Sequence, residues 1–301
     1  MKKRIKFSYY INLWLSQKEI SVKKSTLSRY IEIVNIYIRP YFNDLYIYKI
    51  NDEIVYKYTL DLLDKNLSNK TVKDILVLLK QLFKYSKIDI NICLPKCNKK
   101  GIKVLKKEEQ KIIENYICNN LDCINFGIIL SLYTGLRIGE LCSLKWTNIN
   151  LVDRTITITN TILRIKNFDD NSSKTKVIFN TPKSLKSLRI IPIPSQILKY
   201  LTELKNNVSS ENNYFLTNSL KYMEPRSYYY HYKKIMKILN LQSYNFHVLR
   251  HTFATRCIEL GFDYKTLSEI LGHSDIRITL SLYVHPSNEL KIMNMEKLKM
   301  Y

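Results

Sequence analysis

Apolar residues recur every three to four positions through the first 90 residues, the spacing that places them on one face of an α-helix. The pattern predicts four short amphipathic helices, in segments 7–17, 28–42, 53–65 and 70–86. Ser, Asn and Thr stand before the second and fourth segments, where they can cap a helix start. Four helices of this kind predict a small helical bundle.

The helical pattern stops at a stretch that contains Pro95, Gly101 and a cluster of Lys. Pro and Gly interrupt regular elements, so this stretch is the best linker candidate in the chain. The resulting division is a helical domain in residues 1–92, a linker in 93–104 and a second domain in 105–301.

Strands are predicted only in the second domain. Apolar and polar residues largely alternate over residues 154–165, which predicts one strand, and two shorter strands follow in 175–181 and 187–194, separated by a turn with the sequence PKSLK. Helical spacing precedes this region and returns after it. The second domain is therefore expected to be α+β, with helices around a small antiparallel β-sheet, and the chain as a whole is mainly α.

The charge balance of the chain is strongly positive. It has 48 Lys and Arg against 26 Asp and Glu, a formal net charge of +22. Such an excess predicts a polyanionic partner, most often nucleic acid. The alternative is the compositional drift of an AT-rich genome, because most of the positive residues are Lys and because Ile, Asn and Tyr are also abundant.

The cysteines and the apolar segments indicate in which cellular compartment the protein is expected to act. None of the six Cys forms a C-x-x-C pair or a zinc-like pattern with His, which is typical of a reduced intracellular protein without a metal site. No apolar run approaches the ~18 residues of a membrane span. The N-terminus imitates a signal peptide, but Asn12 interrupts it and no cleavage site follows, so an amphipathic first helix is expected.

Candidate chemistry is concentrated in the stretch FHVLRHTFAT, residues 246–255. His247 and Arg250 are three positions apart, so on a helix they share a face. Arg250 lies in an apolar run with no acidic residue within four positions on either side. Because a charge in apolar surroundings needs a partner, this arginine requires a distant carboxylate or a phosphate.

Two further segments place a cation or an imidazole among apolar residues. Arg137 follows a Gly-containing turn and has Glu140 three positions later, within reach to orient it. His273 also follows a glycine, and Tyr283 stands ten positions after that histidine. With the positive charge of the chain, the three segments together predict a phosphate-binding pocket with a tyrosine nearby.

These segments resemble the signature motifs of a known family. TGLRIGELCSLKW, within residues 126–146, is similar to the first box of the tyrosine recombinases, the phage integrase family, and residues 247–287 resemble the second box nearly end to end. The N-terminal helices fit the SAM-like core-binding domain of that family, which implies a core-binding domain followed by a tyrosine-recombinase catalytic domain. Asn148 stands where the family often has an acid, a departure that touches no catalytic role.

The resemblance also implies roles for individual residues. Arg137 and Arg250 would bind the non-bridging oxygens of a scissile phosphate, with Glu140 orienting the first of them. His247 and His273 would complete the pocket. Tyr283 would attack the phosphorus as the nucleophile.

Three more residues near the predicted pocket have expected roles. Lys183, in the turn PKSLK, would be the general acid, and Lys186 in the same turn is the second choice. His251 would be a structural neighbour of the phosphate-binding residues.

The implied activity is site-specific DNA recombination through a covalent 3′-phosphotyrosine intermediate. No metal, ATP or other cofactor is expected, because the chain has no Gly-rich phosphate loop and no paired carboxylates at metal spacing. Integration or excision of a mobile element is the expected role. The alternatives are Xer-like resolution of chromosome or plasmid dimers, and a DNA-binding protein without activity, against which the intact catalytic set argues.

The implied partners are double-stranded DNA and further copies of the chain. A tetramer on two synapsed duplexes is expected, with the tail, residues 286–301, exchanged between protomers and with accessory DNA-bending proteins as additional partners. No membrane association is expected. The protein would act in the cytoplasm, associated with the nucleoid, and be encoded by a bacterium, a phage or a mobile element.

Overall fold

The computed structural model describes residues 4–97, 101–168, 173–180 and 188–283, together with Ile292, Met295 and Glu296. The chain divides into two compact units. The first consists of Met1–Lys100 and Ile165–Lys176, and the second of Gly101–Arg164 and Val177–Tyr301. The linker limits inferred from the sequence, 93–104, remain a prediction, because three residues of that stretch lie outside the described ranges.

Helices make up most of the first unit, as the apolar spacing predicts. They are α1 (Phe7–Ser21), α2 (Lys24–Ile33), α3 (Arg39–Phe42), α4 (Asp52–Asp64) and α5 (Asn69–Tyr85). A π-helical segment, Val34–Ile38, joins α2 to α3. The segment predicted as one helix is therefore continuous, but its hydrogen-bonding pattern changes midway.

A side-chain cap was predicted at the N-termini of α2 and α5, and the structure has one at α5 only. Ser68 caps α5, since its hydroxyl accepts a hydrogen bond from Thr71 N at 3.1 Å. By contrast, α2 begins after Lys23, whose side chain makes no capping bond. The Ser/Thr start signal predicted for that helix is therefore wrong, and packing of its apolar face holds it instead.

Three phenylalanines lie in the core of the first unit. The ring centroid of Phe7 lies 6.0 Å from that of Phe42 and 5.4 Å from that of Phe83, and all three side chains are buried. Edge-to-face and tilted ring pairs of this kind add to the stabilisation that burial provides. The cluster joins α1, α3 and α5, which the sequence predicts as separate amphipathic helices.

The second unit contains eight helices within the described residues. They are α6 (Lys107–Asn119), α7 (Cys123–Thr134), α8 (Ile138–Ser143), α9 (Ser195–Asn206), α10 (Pro225–Ile238), α11 (His247–Glu259), α12 (Tyr264–Leu271) and α13 (Ile276–Tyr283). From Phe126 onward every side chain of α7 except Tyr133 is buried, so this helix forms part of the core. No helix in the described ranges is long and apolar enough to span a membrane.

The described residues also form short strands. They are β1 (Ile149–Asn150), β2 (Thr155–Ile158), β3 (Thr161–Lys166), β4 (Thr175–Asn180) and β5 (Arg189–Pro192). An antiparallel sheet has the order β1-β2-β5, with Ile156 opposite Ile191, and β3 pairs with β4 in a second sheet. The mainly α fold with small sheets agrees with the sequence, although β4 and β5 pair with different partners rather than with each other.

The single strand predicted over residues 154–165 is wrong. It divides at Thr159 and Asn160 into β2 and β3, which belong to different sheets. Asn160 stands where the alternation calls for an apolar residue, and its carbonyl oxygen accepts a hydrogen bond from Ser143 Oγ at 2.8 Å. Because that carbonyl is bonded to α8, the chain leaves the first sheet before the second begins.

Two sequence predictions fall outside the described residues. The turn PKSLK, with Lys183 and Lys186, is one of them. The other is most of the tail 286–301, of which three residues are described. The assigned general acid and the exchanged tail therefore remain predictions.

Candidate active site

A tight turn after α7 positions Arg137 at the start of α8. Gly135 closes α7 in the left-handed conformation, with φ at 68°, which glycine adopts without strain. A Cβ atom at that position would lie 2.8 Å from the side chains of Leu271 and Phe253. The turn is therefore packed closely against α11 and α12, and only glycine fits there.

Glu140 fixes both the backbone and the side chain of Arg137. Its Oε2 accepts a hydrogen bond from Arg137 N at 3.0 Å, and its Oε1 accepts one from Arg137 Nη1 at 2.8 Å. The carboxylate is buried, whereas the arginine side chain is 39% exposed. Glu140 therefore holds an arginine whose side chain is partly open to solvent, and its role in orienting that arginine toward a ligand stays a prediction.

Arg189 is a second cation on Glu140 and was not among the residues predicted from the sequence. Its Nη1 and Nη2 donate to the two carboxylate oxygens at 3.1 and 2.8 Å, and its Nε donates to the carbonyl of Ile270 at 2.7 Å. The side chain is almost fully buried. A signal was available, because Arg189 and Ile191 occupy the inward positions of β5, where an apolar residue is expected.

The two arginines control the charge of Glu140. Burial by itself would raise its pKa, but the hydrogen bonds and charge of Arg189, together with Arg137, lower the pKa of Glu140 to about 2. The carboxylate is therefore ionised at neutral pH. Since the folded pKa lies below the ordinary value of 4.5, its contribution to stability is complete above pH 4.5 and is lost as pH falls toward 2.

Arg189→Met should lower the free energy of unfolding by about 3 to 5 kcal/mol, because it leaves a buried carboxylate without its main partner. Urea unfolding at pH 7 measures the change. The double variant Arg189→Met with Glu140→Gln should recover part of the loss, since it also removes the stranded charge. Because protonation relieves the unpaired carboxylate, the single variant should lose less stability than the parent as pH falls from 4.5 toward 2. Equal stability of parent and single variant would contradict the ion pair.

Arg250 is buried to 1% exposure in α11 and bridges two chain segments. Its Nη1 donates to the carbonyl of Gly135 at 2.7 Å, and its Nη2 donates to that of Leu271 at 2.6 Å. Among the described residues, no carboxylate forms an ion pair with it. Burial and then repulsion from Arg137 lower the pKa of Arg250 to about 9, which leaves it charged at neutral pH.

Two histidines stand in the field of these arginines. Desolvation, followed by the charges of Arg250 and Arg137, lowers the pKa of His273 to about 3. The pKa of His247 is also lowered, by desolvation and then by its neighbours His251 and Arg250. Thr279 Oγ1 lies 2.8 Å from His273 Nδ1 and fixes that ring. Both imidazoles are therefore neutral at neutral pH before an anion enters.

Tyr283 ends the described part of α13 and is 9% exposed. Its hydroxyl lies 2.6 Å from His251 Nδ1. This contact was not predicted from the sequence, where His251 was expected to be a structural neighbour of the phosphate-binding residues. Burial raises the pKa of Tyr283, while the charges of Arg250 and Arg137 act to lower it. The phenol therefore lies within the field of both arginines.

The structure brings six of the residues singled out in the sequence into one part of the second unit. They are Arg137, Glu140, His247, Arg250, His273 and Tyr283. The described residues add Arg189 and His251 to this cluster, whereas Lys183 and Lys186 lie outside the described ranges. The cluster combines several cations, neutral imidazoles and one phenol, a set suited to binding and attacking a phosphodiester.

Comparison with known proteins identifies the family to which this chain is related. Residues 103–289 match the phage integrase family, and residues 6–63 match the phage integrase N-terminal SAM-like domain. The chain belongs to the phage integrase family. It is a tyrosine-type site-specific recombinase, and its two matched regions are the SAM-like domain and the catalytic domain of that family.

Two bacterial relatives align with the recombinase over most of its length. It is 29% identical over 306 residues to the XerC-like tyrosine recombinase of Caldanaerobacter subterraneus subsp. tengcongensis, which covers 91% of this chain and 78% of the relative. It is 27% identical over 308 residues to the ICEBs1 integrase of Bacillus subtilis, with 93% and 79% covered.

A solved structure shares the fold of the recombinase. The Tn1549 transposon integrase in complex with transposon right end DNA superposes with a TM-score of 0.80 at 21% identity. The match covers 97% of this chain and 99% of that chain. At this level of identity the comparison establishes the fold.

Proposed function

We propose that the recombinase cleaves and rejoins double-stranded DNA with Tyr283 as the nucleophile, through a covalent 3′-phosphotyrosine. The observation that carries the proposal is the position of the Tyr283 hydroxyl, 2.6 Å from Nδ1 of His251, the residue that follows the buried Arg250. The charges of Arg250 and Arg137 act on the same phenol. A pocket with this charge attracts a phosphodiester and holds it beside a hydroxyl. A protein that only binds DNA does not need a buried tyrosine hydroxyl beside its phosphate-binding residues.

The arginines stabilise the charge that develops during attack. A phosphodiester is already negative, and attack increases the charge on its non-bridging oxygens. Arg137 and Arg250 donate to those oxygens and offset their negative charge. A fixed donor aimed at developing charge contributes about 3 kcal/mol. Glu140 and Arg189 act indirectly, by holding Arg137 in place.

The neutral histidines complement the arginines. A neutral imidazole can both donate and accept a hydrogen bond. When a phosphate binds beside His247 and His273, its negative charge raises their pKa from the lowered values of the empty pocket. The two rings then donate to the phosphate and share its charge.

The leaving group needs a proton. The 5′ oxygen of the cleaved strand would depart as an alkoxide unless an acid protonated it. Lys183 is our assignment for that acid, and Lys186 in the same turn is the second candidate. In the return reaction the same lysine removes the proton from the attacking 5′-hydroxyl.

Two biological roles fit this chemistry. Integration or excision of a mobile element is favoured by the similarity to the ICEBs1 integrase, and resolution of chromosome or plasmid dimers by the similarity to a XerC-like recombinase. In either role we propose four protomers on two synapsed duplexes, with the tail 286–301 docked on a neighbouring protomer. Nucleoid association in the cytoplasm belongs to the same proposal. Sequencing the DNA bound covalently to the protein in cells separates the two roles.

Strand cleavage should proceed at the same rate in excess EDTA as with magnesium, because the arginine pair supplies the charge compensation that a metal ion gives in other phosphoryl-transfer enzymes. The test is single-turnover cleavage of a suicide duplex, with a magnesium-dependent nuclease as the control that EDTA must silence. A rate that collapses on chelation, and returns with added metal, would contradict the proposed mechanism.

A further inference from the structure

We propose that His251 is a further catalytic residue, the base that accepts the proton of the Tyr283 hydroxyl as its oxygen attacks the phosphate. The inference rests on the function proposed above, in which Tyr283 is the nucleophile. It assigns chemistry to a side chain that the family resemblance left as a structural neighbour.

The geometry joins His251 to the reacting atom. His251 Nδ1 lies 2.6 Å from Tyr283 Oη, and the two ring centroids are 5.6 Å apart. A general base must lie within about 2.6 to 3.2 Å of the group that it deprotonates. Because Tyr283 is buried, solvent water has little access to take the proton instead.

The other two histidines of the cluster, His247 and His273, have contacts that differ from those of His251. His273 Nδ1 is bonded to Thr279 Oγ1 at 2.8 Å. His247 packs edge-on against His251, with ring centroids 4.6 Å apart. In the described part of the chain, neither ring hydrogen-bonds Tyr283, so His251 is the imidazole that can take the proton directly.

The surroundings of His251 keep it able to accept a proton. Desolvation and the charge of Arg250 lower its pKa, so the ring is neutral at neutral pH, while burial keeps the phenol of Tyr283 protonated. α7, α12 and α13 pack against α11. The charged residues and histidines of these four helices are His247, Arg250, Arg256, Glu259, Lys265, Glu269 and Arg277. Of these, Arg250 is the one whose charge shifts the pKa of His251.

The proton and electron pairs balance in the cleavage step. The Oη–H bond of Tyr283 breaks and its proton moves to His251 Nδ1, while the Oη–P bond forms. The P–O5′ bond breaks, and the proposed general acid, Lys183, protonates the departing 5′ oxygen. The resulting imidazolium is stabilised by the nearby negative phosphate. Religation reverses each transfer and returns the proton to Tyr283.

His251→Asn tests the proposal, because asparagine keeps a short polar side chain beside Tyr283 but cannot take up a proton. Single-turnover cleavage of a suicide duplex should slow by about 10²- to 10⁴-fold, the usual contribution of a general base. His231→Asn is the matched control. His231 lies on α10, outside the cluster, and its ring is 2.9 Å from Asn125 Oδ1, so the cleavage rate of this variant should equal that of the parent. Duplex binding by band shift shows that each variant is folded, and His251→Gln serves if asparagine is not tolerated.

A second substrate separates the base from the acid. A 5′-bridging phosphorothiolate at the scissile position gives a leaving group that needs no proton. The defect of His251→Asn should persist on this substrate, whereas that of Lys183→Ala should disappear. Rescue of His251→Asn by sulfur would assign the histidine to the leaving group and overturn the proposal.

The pH profile gives a readout that a purely structural role would not change. The parent rate should fall as pH drops through the pKa of His251, which lies below 6.5, and the asparagine variant should lack that limb. A parent-like rate and profile in His251→Asn would overturn the proposal while leaving the recombinase function intact. If Tyr283→Phe still formed a covalent adduct, the proposed nucleophile itself would be wrong, which is a distinct outcome.

Discussion

Tyr283→Phe is expected to abolish covalent attachment to a nicked or suicide DNA substrate and to leave duplex binding nearly unchanged. The substitution removes one hydroxyl and keeps a ring that fits the same buried site. Loss of the bond to His251 costs about 1 kcal/mol of stability, too little to unfold a domain of this size. A denaturing gel that separates free protein from protein joined to labelled DNA measures the adduct.

Tyr232→Phe is a matched control for that experiment. Tyr232 is also a buried tyrosine of the second unit, and its hydroxyl donates to the carbonyl of Asn245 at 3.2 Å. It should form adduct at the parental rate after a similar loss of one hydrogen bond. Adduct in the Tyr283 variant would mean that a different residue attacks the phosphate.

Arg250→Gln should reduce the rate of cleavage by about 10²- to 10³-fold, the usual effect of removing one donor from the developing charge of a transition state. Stability should also fall by about 1 to 3 kcal/mol, because glutamine cannot donate to both the Gly135 and the Leu271 carbonyls. Single-turnover kinetics and urea unfolding measure the two effects separately.

Arg256→Gln distinguishes the catalytic loss from the structural one. Arg256 lies on the same helix, donates to the carbonyl of Leu105 at 2.8 Å and forms an ion pair with Glu259. This variant should lose stability while it cleaves DNA at nearly the parental rate. If both arginine variants slowed cleavage equally, the effect of Arg250 would be structural.

The helices and two of the arginines in the site, Arg137 and Arg250, could be predicted from the sequence for physical reasons. Helical periodicity records which face of each segment is buried, so α1, α4 and α5 are found near their predicted places. Arg137 and Arg250 were visible because each is a charge in an apolar run. The break between β2 and β3 has one local sign, Asn160 at an apolar position, but the hydrogen bond from Ser143 that accompanies it forms only in the folded chain.

Two members of the cluster depend on contacts between distant positions. Arg189 meets Glu140 across 49 positions, and His251 meets Tyr283 across 32. The local pattern of apolar and polar residues does not indicate which side chains come into contact when they are this far apart in the sequence. The only local sign was the charge of Arg189 at an inward position of β5, and for His251 there was none beyond its place beside Arg250.

The identity of the nucleophile is tested most directly by mass spectrometry of the covalent complex. After cleavage of a suicide duplex, nuclease and trypsin digestion should leave a short nucleotide on the peptide that spans residues 278–291, the fragment between Arg277 and Lys291. Fragmentation should place the added mass on Tyr283. A nucleotide on any other peptide, or a complex that releases all of its DNA on denaturation, would contradict the account.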